Sequence, residues 1–474
     1  MNHYNFWKII ATMGPETDKE TLLIKLVQFI DIFRINLSHV KETTLERYIE
    51  IIQKADSSKT ILLDTKGAEI RTKNKEDIVI PKWHTLMLSY EDIEIPKNKK
   101  HILIKVDYDL TQIPKETTVF LWDNIELEIY KKQDWTILIK IENEITITPG
   151  MKVSFKGFHP DLPILSQREK KLLRLGINRK ANMVAISFVK DATDVAQVRE
   201  YIKSLTTENI KIIAKIETQE AIDNIDEILE ASDGIMIARG DLGVNIHVTE
   251  LPRIQLHLLR KANEVGKPVI IAWEVLASMV HQPFPTRAEI DGIVFNLLQG
   301  ADAFVLSNET AVGKYPLEAI QWLRDIIISN QDMVNINLDI HDIKVKKDKQ
   351  ISDYIANLAI QTAKKIGAKA IICPTETGYT ASRLASFKSN IPIIAFTKNE
   401  QTFKYLNLLW GVKGIRISGE FSLDMIKRIG KEMIRMIFKG TIRLDDKILL
   451  VHSTLAQNVP NMINWIEVFK FKDM

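Results

Sequence analysis

Short runs of β-branched and other apolar residues recur through most of this 474-residue chain, separated by intervals of helix length. Runs that are apolar on both faces are typical of buried parallel strands, and parallel neighbours need a crossover helix between them. Eight such runs predict a (β/α)₈ (TIM) barrel. The predicted strands are Lys8–Met13, Ile32–Ser38, Thr60–Lys66, Met183–Val189, Lys211–Glu217, Gly234–Asp241, Pro268–Val275 and Ala303–Glu309.

One interval is far longer than a crossover helix requires. Between Lys66 and Met183 the sequence changes to short strands joined by polar turns, which predicts a small all-β domain inserted after the third barrel strand. A lysine-rich stretch, His341–Lys349, is interpreted as a linker to a second α/β region. The predicted fold class is therefore α/β, with a barrel over residues 1–66 and 167–340, an inserted β-barrel lid domain over 67–166, and a C-terminal α/β domain over 341–474.

Composition argues against several classes of function. The net charge is only +3 from 64 basic and 61 acidic residues, so nothing indicates a nucleic-acid partner. No apolar run reaches the roughly 18 residues of a membrane span, and no secretory segment opens the chain. The single cysteine, Cys373, lies in an apolar run and is predicted to be a buried core thiol. We expect a cytoplasmic protein that binds neither membranes nor nucleic acid.

Polar residues interrupt the barrel strands at their carboxyl ends, where active sites lie in this class of barrel. These residues are Arg34, Asn36 and Ser38 on strand two, Asp64, Thr65 and Lys66 on strand three, Lys215 and Glu217 on strand five, and Arg239, Gly240 and Asp241 on strand six. A single charged residue at a strand end is more often a turn or salt-bridge residue. Matched charges on four strand ends favour a functional site instead, because burying them unpaired would be costly.

The types of charge at these strand ends indicate a metal and an anion. Residues two apart on a strand share a face, so Lys215 and Glu217 are predicted to point together into the barrel mouth. Carboxylate oxygens suit Mg²⁺, and lysine and arginine suit phosphate. Gly240 and Gly243 would let backbone N–H groups face an anion where a helix begins.

Several segments of the chain together resemble the pyruvate kinase family, from about residue 8 to the C-terminus. The motifs that carry this resemblance are Lys8–Pro15, Arg34–His39, Leu63–Thr72, Ile213–Glu217, Asp226–Gly243, Pro285–Glu289 and Leu306–Ala311. The resemblance implies the three-domain architecture predicted above. It also implies phosphoryl transfer from phosphoenolpyruvate to ADP, giving pyruvate and ATP in glycolysis, and a homotetramer.

The resemblance implies two cation sites. Glu217 and Asp241 resemble the ligands of Mg²⁺ (or Mn²⁺). A K⁺ site is implied at Asn36, Ser38, Asp64 and Thr65, and Glu69 matches the residue associated with K⁺ dependence in the family.

The resemblance also implies how substrate and nucleotide are bound. Lys215 resembles the lysine that neutralises the transferring phosphoryl group and the enolate, and Arg34 would hold the phosphate. Gly240 and Asp241 complete the expected substrate contacts. The residues implied to approach the nucleotide are Arg71, His39, Asn36 and Lys152, and Asp123 resembles an aspartate of the lid.

The chain departs from the family at the end of strand seven, where Ala272–Leu276 reads Ala-Trp-Glu-Val-Leu instead of Ala-Thr-Gln-Met-Leu. Trp273 therefore takes the position of a threonine that contacts the substrate. Ile290–Gly292 and Asn308 are further departures. Two hypotheses follow, an active but altered pyruvate kinase and a catalytically weakened binding or regulatory protein. A third, another Mg²⁺-dependent barrel enzyme acting on pyruvate-like enolates, leaves the matches at Arg71 and in the lid unexplained.

A hydroxyl-rich loop in the C-terminal domain resembles the family's phosphate-binding effector loop. Its candidate residues are Thr375, Thr377, Gly378 and Thr380. The loop can equally be an ordinary strand-to-helix turn with an N-cap. Ser453–Pro460 lacks the Arg and Gly residues typical of members that respond to fructose-1,6-bisphosphate, so a sugar monophosphate, AMP or no effector is as plausible.

Overall fold

A computed structural model gives the fold of residues 4–334, 350–418, 422–452 and 463–474, apart from 68, 92, 94–99, 115, 122–124, 159 and 161. Three predicted features lie outside these described residues: the lid aspartate Asp123, the linker His341–Lys349 and the loop Ser453–Pro460. None of the helices in the described parts of the chain is both long enough and apolar enough to cross a membrane.

Twenty-two strands are present in the described residues. They are β1 (Lys8–Thr12), β2 (Ile32–Asn36), β3 (Thr60–Asp64), β4 (Ile70–Arg71), β5 (Ile78–Ile80), β6 (Thr85–Ser89), β7 (His101–Lys105), β8 (Thr118–Leu121), β9 (Ile125–Gln133), β10 (Thr136–Lys140), β11 (Ile145–Ile147), β12 (Lys152–Phe155), β13 (Met183–Ile186), β14 (Lys211–Ile216), β15 (Gly234–Ala238), β16 (Val269–Ala272), β17 (Ala303–Leu306), β18 (Ala370–Pro374), β19 (Ile393–Thr397), β20 (Val412–Arg416), β21 (Lys447–His452) and β22 (Trp465–Lys470).

The α-helices alternate with the strands in the barrel and in the C-terminal domain. They are α1 (Glu20–Leu26), α2 (Glu42–Ala55), α3 (Gln167–Asn178), α4 (Ala192–Leu205), α5 (Gln219–Asp223), α6 (Ile225–Ala231), α7 (Arg239–Asn245), α8 (Leu251–Glu264), α9 (Arg287–Leu298), α10 (Asn308–Ala311), α11 (Pro316–Asn330), α12 (Gln350–Ile366), α13 (Tyr379–Ser386), α14 (Glu400–Leu406) and α15 (Leu423–Ile437). Short 3₁₀ turns occur at Leu110–Gln112, Val248–Glu250, Ala277–Val280, Gln331–Met333 and Phe471–Asp473.

Eight parallel strands close the barrel in the order β1-β17-β16-β15-β14-β13-β3-β2. Every predicted barrel strand is present, so the predicted fold class is confirmed. Each strand ends one to three residues earlier than predicted. The helical segment after β14 is divided into α5 and α6 at Asn224, whose side-chain amide donates to the carbonyl O of Lys190 at 3.0 Å.

Apolar residues fill the barrel on both faces of its strands, as the continuous apolar runs predicted. Side chains such as Ile10, Phe33, Leu62, Ile235 and Phe304 have no exposed surface. Because this core leaves no room for solvated polar groups, polar residues are confined to the strand ends. The packed barrel therefore fixes where any site must lie.

Nine short strands form the inserted domain after β3. Seven of them make one sheet in the order β4-β12-β8-β9-β10-β6-β7, and β11 pairs with β5. A separate apolar core, including Ile80, Leu86, Val119 and Phe155, holds this domain together. The all-β insertion is confirmed, while its exact limits at residues 67 and 166 stay predictions.

The C-terminal domain contains a five-stranded sheet in the order β20-β19-β18-β21-β22, parallel except for the last pair. Cys373 on β18 is fully buried, as predicted, and burial raises the pKa of its thiol. A buried ion pair joins this domain to the barrel, since the Nζ of Lys388 lies 2.5 Å from the Oδ1 of Asp302. The other carboxylate oxygen of Asp302 accepts from the backbone N–H of Val269 at the start of β16, at 2.9 Å.

Candidate active site

Charged side chains from β2, β3 and β14 meet at the carboxyl end of the barrel, with β13 between β3 and β14. Arg34 on β2 donates from Nε to the Oδ2 of Asp64, the last residue of β3, at 2.6 Å. The Oδ1 of Asp64 lies 3.2 Å from the Nζ of Lys215 on β14, and Lys215 lies 2.8 Å from the Oε1 of Glu217. A second donor of Arg34 reaches the hydroxyl of Thr12 at 2.9 Å. Four of the predicted strand-end residues, Arg34, Asp64, Lys215 and Glu217, thus form one continuous network.

Lys215 is at the centre of this network and only 8% of it is exposed. Its ammonium group also donates to the hydroxyl of Ser187 at 2.7 Å. Burial alone would lower the pKa of Lys215, but the charges of Asp64 and Glu217 outweigh burial and raise the pKa. A raised pKa favours the protonated form of Lys215, which suits a role as a cation and not as a general base near neutral pH.

Glu217 is fully buried one residue past the end of β14. Its Oε2 accepts from the backbone N–H of Phe188 at 2.6 Å. Burial raises the pKa of Glu217 to about 7, with the neighbouring carboxylate of Asp241 acting in the same direction and Lys215 opposing them. Glu217 and Asp241 are thus a close pair of like charges, the situation that a bound cation relieves.

Asp241 lies in the first turn of α7 and connects the barrel to the lid. Its Oδ1 contacts the Nζ of Lys152, which comes from β12 of the inserted domain. Burial would raise the pKa of Asp241, but Lys152 and Lys215 outweigh burial and lower it. The side-chain amide of Asn245 donates to the backbone carbonyls of both Glu217 and Asp241 at 2.9 Å, which fixes the two acidic residues relative to each other.

The residues present fit a divalent cation. In the described part of the chain no group of three or more His, Cys, Asp or Glu side chains forms a ready-made metal cage. Two adjacent carboxylates are nevertheless the kind of donor set on which Mg²⁺ is held together with water and substrate phosphate. The Oε1 of Glu217 and the Oδ1 of Asp64 are buried without a hydrogen bond, although Lys215 lies near both.

The four residues predicted to bind K⁺ all carry oxygen donors at the ends of β2 and β3. Asn36 lies opposite Asp64 in the register of these strands, and its Oδ1 accepts from the backbone N–H of Ser38 at 3.0 Å. The hydroxyl of Thr65 accepts from the backbone N–H of Ser187 at 2.9 Å. Amide, hydroxyl and carboxylate oxygens suit a hard cation.

The residues predicted to approach the nucleotide lie where the chain passes from barrel to lid. Arg71 on β4 bonds to the carboxylate of Glu69 at 2.5 and 3.0 Å and donates to the carbonyl O of Gly150 at 2.7 Å. Partial burial and the charge of Arg71 lower the pKa of the largely exposed His39. Lys152 is opposite Arg71 in the strand register, but its ammonium group reaches Asp241 instead of this group.

Sequence reasoning missed several residues of the network. Ser187 bonds to Lys215, and Phe188 donates its N–H to Glu217 from a left-handed conformation with φ of 54°. Ser187 follows directly after β13, so the rule that found the other strand-end residues would have found it too. The same rule would have found Thr12, the last residue of β1, whereas Asn245 gave no such signal because it does not differ in the sequence from an ordinary helix residue.

Trp273 occupies the turn after β16, beside the predicted substrate residues. A Cβ atom placed on Gly240 would lie 2.7 Å from the Cδ2 and Cε2 atoms of its indole ring. Gly240 was predicted to expose its N–H to an anion. The approach of the Trp273 ring gives a second reason why no larger residue fits there.

The candidate effector loop is a tight connection between β18 and α13. Gly378 has a φ of 86°, and its N–H donates to the hydroxyl of Thr375 at 3.0 Å. The N–H of Tyr379 donates to the hydroxyl of Thr377 at 3.4 Å, and Thr380 is buried. These bonds are those of a strand-to-helix turn, and phosphate binding at this loop stays a prediction.

The barrel, the lid and the buried charged network together define a (β/α)₈-barrel phosphotransferase. The family model described as "Pyruvate kinase, barrel domain" matches residues 5–320, and "Pyruvate kinase, alpha/beta domain" matches residues 353–469. The chain belongs to the pyruvate kinase family.

Curated relatives agree with this assignment. The pyruvate kinase of Sporosarcina psychrophila is 35% identical over 431 residues, which cover 88% of this chain and 73% of that protein. That of Bacillus licheniformis is 32% identical over 462 residues, covering 95% and 78%. That of Geobacillus stearothermophilus is 35% identical over 418 residues, covering 85% and 70%.

Proposed function

We propose that this protein transfers the phosphoryl group of phosphoenolpyruvate to ADP in glycolysis, with Mg²⁺ (or Mn²⁺) and K⁺, as a cytoplasmic homotetramer. The observation that carries the proposal is the position of the Lys215 ammonium group, 2.8 Å from Glu217 and 3.2 Å from Asp64, at the mouth of the barrel. An obligatory cation between carboxylates suits a reaction that moves an anionic group and leaves an enolate.

Each group of side chains has its own role in the proposed reaction. Arg34 and Lys215 bind the phosphate of phosphoenolpyruvate and neutralise charge on the phosphoryl group as it moves. Glu217 and Asp241 would hold the divalent cation, which when bound neutralises the phosphoryl oxygens and the enolate. The enolate is then protonated through a side-chain or water relay, to which Trp273 offers only an indole N–H.

The lid and the monovalent cation have supporting roles. Arg71, His39, Asn36 and Lys152 bind the nucleotide. Contact between Lys152 and Asp241 supports a closed lid that excludes competing water. Asn36, Ser38, Asp64 and Thr65 hold K⁺. Activity that is unchanged when tetramethylammonium replaces K⁺ would contradict this assignment.

A lactate dehydrogenase-coupled assay with phosphoenolpyruvate, ADP, Mg²⁺ and K⁺ tests the proposal. We expect turnover that disappears when Mg²⁺ is chelated. Turnover no higher than that of Lys215→Met would exclude catalysis of this reaction.

The replacement of threonine by Trp273 favours one alternative, a catalytically weakened binding or regulatory protein. Calorimetric titration with phosphoenolpyruvate in Mg²⁺ and K⁺ separates the two. Binding without turnover would favour the regulatory protein, whereas binding with turnover would favour the enzyme.

A further inference from the structure

The turn after β16 has a backbone that non-glycine residues rarely adopt. Trp273 and Glu274 are consecutive and have φ values of 76° and 52°. Left-handed conformations of this kind persist only where surrounding groups hold them, and they cluster at functional sites. The groups that hold this turn therefore indicate what it is for.

Arg239 holds the turn through its guanidinium group. Its Nε donates to the carbonyl O of Trp273 at 3.1 Å, and its Nη2 donates to the carbonyls of Trp273 and Glu274 at 2.5 and 3.0 Å. In the described part of the chain, no carboxylate lies within ion-pair distance of Arg239. A planar guanidinium with donors in fixed directions suits this task, which a lysine ammonium cannot reproduce.

Glu309 anchors the other end of the turn. Its Oε1 accepts from the backbone N–H of Leu276 at 3.0 Å, and its Oε2 accepts from that of Ser307 at 2.7 Å. Glu309 is buried with 2% of its surface exposed. The turn is thus fixed from the ends of the two neighbouring strands, β15 and β17.

The fixed turn places the indole ring of Trp273 directly on Gly240. A Cβ atom at position 240 would lie 2.7 to 2.9 Å from three atoms of the ring, too close for any real contact. Trp273 remains 39% exposed at the barrel mouth. It lies next to Gly240 and Asp241, the residues predicted to bind substrate and metal. A rigid aromatic surface therefore borders the site on this side.

We infer that Arg239 is a positioning residue, which holds the turn at 273–274 so that the Trp273 ring packs on Gly240 and forms one wall of the substrate site. The inference rests on the proposed function for the identity of the substrate, phosphoenolpyruvate. Arg239 acts through the turn, so the number and direction of its hydrogen bonds matter more than its charge.

Arg239→Lys keeps the positive charge at this position but loses the fixed donor directions of the guanidinium group. We expect Arg239→Lys and Arg239→Met to raise the KM for phosphoenolpyruvate by a similar factor, about tenfold or more, with a smaller change in kcat. A control, Arg253→Met, removes an exposed arginine of α8 that pairs with Glu250 at 3.1 Å. Wild-type KM in Arg239→Lys would overturn the inference.

Acrylamide quenching of tryptophan fluorescence measures how accessible the Trp273 ring is to solvent, and this measurement does not depend on catalysis. The signal of Trp273 is obtained by comparing each protein with its Trp273→Phe counterpart. We expect quenching of this signal to increase at least twofold in both Arg239 variants and to stay unchanged in Arg253→Met. Equal quenching of the Trp273 signal in the wild type and in all three variants would contradict the positioning role.

A second pair of variants keeps the test valid if the Arg239 variants fold poorly. Gly240→Ala introduces a methyl group into the space of the ring, so we expect a KM increase of about tenfold in the native background. In the Trp273→Thr background the same change should raise KM less than threefold. Equal effects in the two backgrounds would show that the ring contact does not matter.

These measurements distinguish failure of the inference from failure of the proposed function. A protein without turnover, whose Trp273 signal still depends on Arg239, would contradict the function and support the positioning role. Normal turnover with unchanged KM and quenching in Arg239→Lys would refute the positioning role alone.

Discussion

Two halves of the barrel mouth are held together by different interactions. At the ends of β2, β3 and β14, charged side chains bond to one another, as Arg34, Asp64 and Lys215 do. At the ends of β15 and β17, charged side chains bond to the backbone, as Arg239 and Glu309 do. In the proposed function the first half presents charge to the substrate, whereas the second sets the shape of the site. This difference explains how the family's threonine can be replaced in the second half while the charged half is retained.

The largest effect is expected from the centre of the charged half. Lys215→Met removes the cation that faces the transferring group, so kcat should fall by about 10³-fold or more. Lys211→Met is a matched control at the opposite end of the same strand, where the ammonium group pairs with Asp233 at 3.2 Å. Turnover in the coupled assay should stay within about twofold in this control. Similar losses in both variants would mean that Lys215 has only a structural role.

A somewhat smaller loss is expected when one carboxylate of the charged half is neutralised. Glu217→Gln should lower kcat by about 10²-fold and raise the Mg²⁺ concentration needed for half-maximal activity, because an amide is a weaker ligand than a carboxylate. Glu220→Gln changes an exposed glutamate three residues further on and should leave the Mg²⁺ titration unaltered. An unchanged titration in Glu217→Gln would exclude this residue as a metal ligand.

A third prediction concerns the contact between the lid and the charged half. Lys152→Met removes the ammonium group that touches Asp241, so kcat/KM for ADP should fall by about tenfold or more. Lys140→Met serves as a control in the same domain, since Lys140 is exposed and its Nζ lies 3.7 Å from the ring centroid of Tyr130. Equal values of kcat/KM for ADP in the two variants would show that Lys152 does not take part in nucleotide binding.

The smallest effect is expected in the half that sets shape. Glu309→Gln leaves one acceptor for the two buried N–H groups of Leu276 and Ser307, which should lower stability by about 1–2 kcal/mol. Thermal unfolding followed by circular dichroism measures this loss. A midpoint equal to that of the wild type would show that Glu309 does not anchor the turn.

The pH dependence of this loss follows from the pKa of Glu309. Burial raises that pKa above the usual 4.5, so the folded protein binds the proton more tightly than the unfolded chain does. The contribution of Glu309 is therefore fully present below pH 4.5 and is lost as the pH rises through the folded pKa. The difference in stability between the wild type and Glu309→Gln should decrease with rising pH. An increase in this difference would contradict a raised pKa for Glu309.

The sequence predicted most of the fold because burial leaves a simple pattern. The barrel strands could be recognised as continuous apolar runs. The lid strands leave a weaker signal, since several of them, such as β4, β5 and β11, have only two or three residues. The break between α5 and α6 leaves no such pattern, because it depends on a side-chain bond from Asn224 to the carbonyl O of Lys190.

The charged half of the site was predictable for the same reason as the strands. Lys215, Glu217 and Asp241 differ from the apolar runs around them, so each could be recognised from local sequence. The position of the Trp273 ring could not, because it depends on bonds from Arg239 to a turn whose left-handed backbone the sequence does not reveal. The reach of Lys152 to Asp241 depends on how two domains meet, which local pattern does not encode.

The burial of Cys373 has a practical consequence for studies of the lid. Because it is the chain's only cysteine and is fully buried with a raised pKa, it should react slowly with maleimide reagents. A single cysteine engineered at an exposed lid position such as Trp83 could then carry a fluorophore without any prior removal of native thiols. Spectroscopic distance measurements on the opening of the lid would thus need only one or two substitutions.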